Sequence, residues 1–255
     1  MLPEEPPDIF GLGTLMRFGR YLVVAAGLLL AGCATDPNAP NTAQNDPYET
    51  TNRKIFDFDN KVDDAVLLPT AKAYNAVVPE PARDGIHNFL LNLDLPVTFV
   101  NDILQGDIHH AGQTLGRFTI NSTIGIGGLF DVAAKNGIPP HVEDFGVTLG
   151  QWGVGEGPYL VLPFLGPDPP RDAGGQVVDI FFDPATYITW RSSIWYSVTR
   201  EGLTIIDLRA RNIDTLDGIE RESIDYYASI RSLYRQRRNN AINNGQPDVN
   251  ELPNL

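Results

Sequence analysis

Cysteine is almost missing from this 255-residue chain. There is one, Cys33, so no internal disulfide can form and pairing says nothing about redox compartment. Positive charge is also scarce. Nineteen Lys and Arg stand against 32 Asp and Glu, a net charge of −13. Without a basic face the chain is excluded from the duplex nucleic-acid binders, whose phosphate contacts require one. No apolar run approaches the ~20 residues that a membrane-spanning helix takes. Catalytic signatures are lacking too: there is no G-x-S-x-G elbow and no H-E-x-x-H pair. Of the four histidines, His87, His109, His110 and His141, only His141 has two carboxylates within three residues, Glu143 and Asp144. That cluster reads as a hydrogen-bonded loop, or as the centre of a hydrolase. A catalytic zinc would call for three protein ligands in fixed geometry. The balance is against an enzyme, with no cofactor and no metal expected.

What is present begins with a targeting segment. Met16-Arg17-Phe18-Gly19-Arg20 is basic, and Tyr21 to Ala31 is an apolar run of eleven residues. A basic start, a short apolar run and small residues at a cleavage point make a secretory signal. Met1 to Leu15 is acidic and proline-containing, so the spacing points to a start at Met16. The segment ends in Leu30-Ala31-Gly32-Cys33, which resembles the bacterial lipobox, where the cysteine is lipidated and becomes the mature N-terminus. Several acyl chains on one cysteine anchor durably, since each buried methylene contributes ~0.8 kcal/mol. Ala34 follows, not the Asp that the bacterial sorting rule associates with inner-membrane retention. This favours the outer membrane. The division is therefore signal peptide 1–32, lipidated N-terminus and flexible tether 33–46, body 47–238, and a polar tail 239–255 expected to be disordered.

The body reads as short, interrupted helices, because Gly (24) and Pro (20) are both frequent. Tyr48 to Asp64 is predicted as an amphipathic helix capped by Thr51 or Asn52 and ended by Val66-Leu67-Leu68-Pro69. A second helix starts near Pro81, carries Ile86, Phe89, Leu90 and Leu93 on one stripe, and is interrupted at Pro96. A third stripe, Val97, Val100, Ile103 and Leu104, stops at Gly106. His141 to Gly175 shows no period and reads as turns, with a short strand at Tyr159 to Phe164. A helix follows to Phe182. Tyr187 to Tyr196 is aromatic and suits either a membrane–water boundary or a core edge. Ile194 to Ile213 is the longest helical pattern, with Arg200, Asp207, Arg209 and Arg211 away from its apolar face. Ile219 to Arg238 is another. Its basic residues Arg231, Arg235, Arg237 and Arg238 fit a solvated helix end or a surface for anionic lipid or a partner.

The stretch that organises the rest is Gly112 to Ala134, GQTLGRFTINSTIGIGGLFDVAA. Its first half is helical in period. Gly125, Gly127 and Gly128 then stop the helix and permit backbone angles closed to other residues. Almost nothing in this turn is charged. It fits a buried turn in a globular core, or a segment that touches lipid or gates a cavity.

Several runs, in order, resemble the MlaA (VacJ) family of outer-membrane lipoproteins. They are Asp46-Pro47-Tyr48-Glu49 with Asn52-Arg53, Val78-Pro79-Glu80-Pro81-Ala82-Arg83, Leu104-Gln105-Gly106-Asp107, the long run from Arg117 to Ala133, Glu143 to Gly150, Gly153 to Tyr159, and Arg171-Asp172. The resemblance covers about Asp46 to Asn239. It implies an all-α, ring-shaped body of short amphipathic helices with a glycine-rich helical hairpin and little or no sheet, seated in the inner leaflet of the outer membrane. It also implies a polar passage through which misplaced outer-leaflet phospholipid is withdrawn, a trimeric porin as partner, and a soluble periplasmic lipid carrier as recipient. On that reading Gly125, Gly127 and Gly128 form the gating hairpin, Arg117 and Asn121 are polar groups near the passage, and Cys33 carries the lipid. The alternative is a lipid-anchored scaffold that binds an outer-membrane porin without moving lipid.

Overall fold

In the computed structural model, residues 45–188 and 193–243 are described. The signal segment and Cys33 lie outside them, as do residues 189–192 of the aromatic stretch. Helices dominate: α1 (Glu49–Val62), α2 (Leu68–Val77), α3 (Glu80–Gln105), α4 (Ile108–Thr123), α5 (Val132–Lys135), α6 (Phe145–Gln151), α7 (Pro170–Phe182), α8 (Ala185–Ile188), α9 (Ser193–Arg211), α10 (Ile213–Glu222) and α11 (Tyr226–Ile242). The only sheet among the described residues is a two-stranded antiparallel hairpin, β1 (Val161–Leu162) and β2 (Gly166–Pro167), with Val161 opposite Pro167 and Leu162 opposite Gly166. The all-α expectation holds.

Several boundaries differ from the sequence reading. Asn52 does not cap α1, which is entered at Tyr48. It lies inside the helix, and its buried amide donates to Asp46 Oδ1 at 2.8 Å and to Tyr159 O at 2.9 Å while accepting from Val161 N–H at 3.1 Å. Long-range partners satisfy it, so it does not compete with the helix backbone. Val66 to Pro69 does not end the helix either. One π-helical segment, Asp63–Leu67, carries the chain straight into α2. Pro69 falls in the first turn of α2, where its missing N–H has no intrahelical partner to lose. Pro96 sits inside α3 without breaking it. An interior proline costs ~3 kcal/mol and leaves the Asn92 carbonyl without its usual donor. The buried residues around it (Leu90, Leu95, Thr98, Asn101 and Asp102) hold the helix through tertiary contact. α3 ends where expected, at Gly106, whose φ of +77° makes a left-handed cap.

The apparent turn region 141–175 contains α6, capped by Asp144, whose Oδ1 accepts from Val147 N–H at 2.9 Å. Its glycines serve helix contact. A Cβ on Gly175 of α7 would stand 2.3 Å from Gly146 N, so α6 and α7 meet backbone to backbone. At the C-terminus, Ser223–Asp225 divides the predicted helix into α10 and α11, leaving Ile224 fully exposed. α11 runs to Ile242, so helix continues past the predicted start of the tail at Asn239. Asp46, placed in the tether by sequence, belongs to the body: it is buried and accepts from Arg231 Nη1 at 2.7 Å and from the Tyr227 hydroxyl.

The packing runs in a closed circuit. α2 lies on α9, α9 on α3, α3 on α6 and α7, and α6 on α11. α11 returns to α1 through Phe56, which sits 5.5 Å from the Tyr227 ring, and through Arg53, which pairs with the α11 cap Asp225. Phe56, Tyr159, Val161 and Tyr227 make the apolar cluster at that junction. Elsewhere the interior is polar. Among the described residues, sixteen polar or charged side chains are buried against eleven apolar ones, the reverse of an ordinary water-soluble core.

Most of those buried charges are paired, with Asp168 as an exception. Three of the four basic residues of α11 are engaged with the body, while Arg237 is exposed. Arg231 holds Asp46, Arg235 meets Glu156 at 2.9 Å, and Arg238 bridges Asp144 and Asp172. Asp207 does not face away from the core of α9. It is 1% exposed and accepts from His87 Nδ1 at 2.7 Å, the Tyr74 hydroxyl at 3.2 Å and Arg211 Nε at 3.1 Å. Arg200 joins Asp94 to Asp183, and Arg209 joins Asp63 at 2.8 Å. Each such pair is stable only because both partners are present, since one left alone would be an uncompensated buried charge.

Candidate functional site: a polar interior under the glycine turn

α3 and α4 form an antiparallel pair with an inverted distribution of polarity. α4 is started by Asp107, whose Oδ1 accepts from His110 N–H at 3.0 Å. It buries Ala111, Thr114, Arg117 and Asn121, while Leu115 and Phe118 are exposed. α3 buries Asn92, Thr98, Asn101 and Asp102, while Phe89, Ile103 and Leu104 are exposed. The turn after α4 continues the outer apolar surface through Ile124, Ile126, Leu129 and Phe130, all exposed. A helix with apolar residues outward and polar residues inward suits an apolar surrounding medium.

The turn itself is tightly bonded. Gly125 N–H donates to Ile120 O at 3.1 Å, Gly127 N–H to Ser122 O at 3.0 Å, Gly128 N–H to Asn121 O at 2.8 Å, and Phe130 N–H to Gly125 O at 3.0 Å. The three glycines serve different needs. Gly127 has φ +69° with open space around it, so only backbone conformation requires glycine there. Gly128 has φ +94°, and a Cβ would lie 2.5 Å from Asn92 Cβ. At Gly125 the demand is for space, because a Cβ would meet Phe130 O at 2.3 Å and Asn121 O at 2.5 Å. Ile126 also takes a positive φ, +52°, which is costly for a β-branched residue.

Beneath the turn lies a small cleft whose lining includes Asn92, Arg117, Asn121, Asp131 and His141. The two polar residues chosen from sequence, Arg117 and Asn121, thus come together with the glycine turn. Arg117, 4% exposed, donates through Nη1 to Ile138 O and through Nη2 to Asp131 Oδ2 at 2.8 Å. Asn121 donates to Asp131 Oδ1 at 3.0 Å and accepts from Ala133 N–H at 2.9 Å. Burial pushes the Asp131 carboxyl up, but the Ala134 N–H, Arg117 and Asn121 outweigh it and hold the group below the usual carboxylate range. Arg117 and Asn121 therefore tie the far side of the turn to α4. Arg117 Nε and Asn92 Oδ1 are left buried with no protein partner.

Asn92 and Asp102 escaped the sequence reading. Asn92 supports the turn from α3, its amide donating to Ser122 Oγ at 3.0 Å. Asp102, fully buried, accepts from Thr114 Oγ1 at 2.7 Å and meets His141 Nε2 at 2.9 Å, bolting α3 to α4 and to the loop before α6. The Asp102 hydrogen bond raises the His141 pKa. His141 stacks on His110, 4.3 Å between centroids. The His141–Glu143–Asp144 cluster does not converge as a hydrolase centre would require. Glu143 Oε1 is 3.8 Å from His141, whereas Asp144 caps α6 and pairs with Arg238. Among the described residues, no group of His, Cys, Asp and Glu is placed to hold a metal ion. Nor is any helix there long and apolar enough to cross a membrane.

Comparison with known proteins agrees with this geometry. A family model described as MlaA lipoprotein matches residues 44–241. The intermembrane phospholipid transport system lipoprotein MlaA of Escherichia coli K12 is 39% identical over 244 residues, covering 92% of this chain and 93% of the relative. Its Haemophilus influenzae counterpart of the same description is 33% identical over 225 residues, covering 87% and 89%. A solved structure reported as the structural basis for maintenance of bacterial outer membrane lipid asymmetry superposes with a TM-score of 0.71 at 38% identity, covering 77% of this chain and 98% of the other. On the family match and on both relatives, the chain belongs to the MlaA lipoprotein family.

Proposed function

We propose that this chain is an outer-membrane lipoprotein, anchored through Cys33 in the periplasmic leaflet, that withdraws misplaced phospholipid from the outer leaflet and so maintains lipid asymmetry. Its work is transport and needs no covalent step. The lipid passes a polar opening bordered by the Gly125–Gly128 turn and is handed to a soluble periplasmic carrier, with a trimeric porin holding the body in place. The observation that carries this reading is the inversion of α3 and α4: Asn92, Asp102, Thr114, Arg117 and Asn121 inside, and Phe89, Ile103, Leu115, Phe118, Ile124 and Ile126 outside. Such a body is solvated by acyl chains on its rim and offers hydrogen bonds within.

The energetics favour this arrangement. A charge at the bilayer centre costs several kcal/mol or more. A polar lining replaces that barrier with hydrogen bonds while the tails stay in apolar surroundings. The closed circuit of helices supplies the rim around such an opening. The test is the amount of phospholipid in the outer leaflet of cells lacking this protein. It should rise, and it should return to normal with the intact gene. Cells that keep a normal outer leaflet without the protein would sink the transport reading. A Gly128 variant that retains porin association and also normal asymmetry would favour the scaffold instead.

A further inference from the structure

On the opposite side of the sequence from the glycine turn, the β1–β2 hairpin ends in a strained apolar tip, Leu162-Pro163-Phe164-Leu165-Gly166. Phe164 has φ +66°, a conformation that bulky side chains rarely adopt and that persists only where the surroundings impose it. Here they do. Phe164 N–H donates to Asp59 Oδ1 of α1 at 2.9 Å, Leu165 N–H donates to Leu162 O at 3.2 Å, and the Phe164 ring meets Phe58 edge-on at 5.5 Å. Yet the tip stays outside: Phe164 is 69% exposed, Leu165 64% and Phe58 46%. An intramolecular clasp thus holds two large apolar side chains in water.

The tether joins the body beside this hairpin. Tyr159, two residues before β1, donates its N–H to Asn45 O at 3.0 Å, and Asn45 Nδ2 donates to Gly157 O at 2.8 Å. Eleven residues lie between Asn45 and Cys33, so Cys33 stays within roughly 43 Å of Asn45.

We propose that Phe164 and Leu165, with Phe58 behind them, form a wedge that enters a lipid surface on the tether side of the body and adds to the hold of the apolar α3–α4 rim. This rests on the lipoprotein reading above. Three apolar side chains are too small a patch for a stable protein interface, which buries about 800 Å² per partner. Insertion into lipid scales with apolar area and has no such threshold. Asp59, which holds the tip, favours zwitterionic over anionic headgroups there.

Cys33 is the only cysteine, so the full chain carrying Cys33→Ala and Leu165→Cys accepts one environment-sensitive fluorophore at the tip. With phosphatidylcholine vesicles, the label should shift to the blue and be quenched by spin-labelled acyl chains. Leu165→Asp and Phe164→Gly together, on the Cys33→Ala chain, should weaken vesicle partitioning about tenfold or more. Phe164→Gly alone should melt no lower than its parent, because glycine adopts this φ freely. A label that stays in water while the chain is vesicle-bound overturns the proposal, as do tip variants that partition like their parent. Tip variants that keep vesicle binding but lose a porin also overturn it, in favour of protein docking. If the parent chain binds no vesicles at all, the lipid-embedded reading falls first and the wedge with it.

Discussion

Replacing Gly127 and Gly128 singly by alanine separates backbone conformation from packing within one turn. Gly127→Ala meets no atom within 4 Å, so its cost is the left-handed backbone alone. That is ~1–2 kcal/mol, reduced by the ~0.4–1 kcal/mol that a less flexible unfolded chain returns. The expected net loss is about 1 kcal/mol. Gly128→Ala incurs a similar backbone cost at φ +94° and places a methyl 2.5 Å from Asn92 Cβ and 2.8 Å from Asn92 Cγ. Asn92 is 4% exposed on α3 and cannot step aside, so ~1–3 kcal/mol of overpacking adds to the strain. The expected net loss is about 3 kcal/mol, taken up by the turn lifting off α3. Denaturant unfolding in detergent should rank the two variants in that order, and outer-leaflet phospholipid in complemented cells should rise for Gly128→Ala much more than for Gly127→Ala. Asn92→Gly removes the offending Cβ, so combining it with Gly128→Ala should recover at least ~1 kcal/mol relative to additivity. Equal damage from the two alanines, or no coupling to Asn92, would refute the claim that the turn is seated on that side chain.

Removing Arg238 in an Arg238→Met variant leaves Asp144 without its cation and the buried Asp172 with Arg171 alone. It should destabilise the chain in the same unfolding assay, by less than the ~3–5 kcal/mol of a fully orphaned buried charge. Asp168, buried and close to Asp172, has its carboxyl pushed up to about 6, first by burial and then by the neighbouring charge. The folded state therefore holds a proton that the unfolded chain releases near pH 4. Stability from this group is greatest below that point and falls as pH rises through 6. Asp168→Asn should flatten stability between pH 5 and 7.5 and raise it at pH 7.5 by about 2 kcal/mol, measured by urea titration. His141→Gln should lower the melting temperature through loss of the Asp102 contact while leaving lipid asymmetry restored in complemented cells. Loss of function with an unchanged melt would point to chemistry at His141.

Element identity was largely legible, because it rests on local signals. Pro81 and Gly106 bracket α3, and the glycine cluster marks the end of α4. Pro96 misled, because the forces that carry α3 through it are contacts distant in sequence. α6 went unseen: it is seven residues long, and its glycines at 146 and 150 pass for turn residues when they are packing surfaces. Arg117 and Asn121 were found through the family resemblance, which carries both in the run that includes the glycine turn. Asn92 and Asp102 were missed because they lie on stripes that were read by their apolar members. Periodicity separates the two faces of a helix but does not say which solvent each one meets. For the same reason Asp207, Arg231 and Arg238 read as solvated: His87, Asp46 and Asp172, which meet them, stand far along the chain.

Asp46 and Arg231 are 185 residues apart, and Asn45 lies on Arg235 of the same final helix. The circuit therefore shuts only when α11 meets the first residues of the body. Closing so long a loop is slow, and until it happens Asp46 and Asp144 lack their cations. A stop codon before α11 should leave that seam unstitched and take the rest of the body with it.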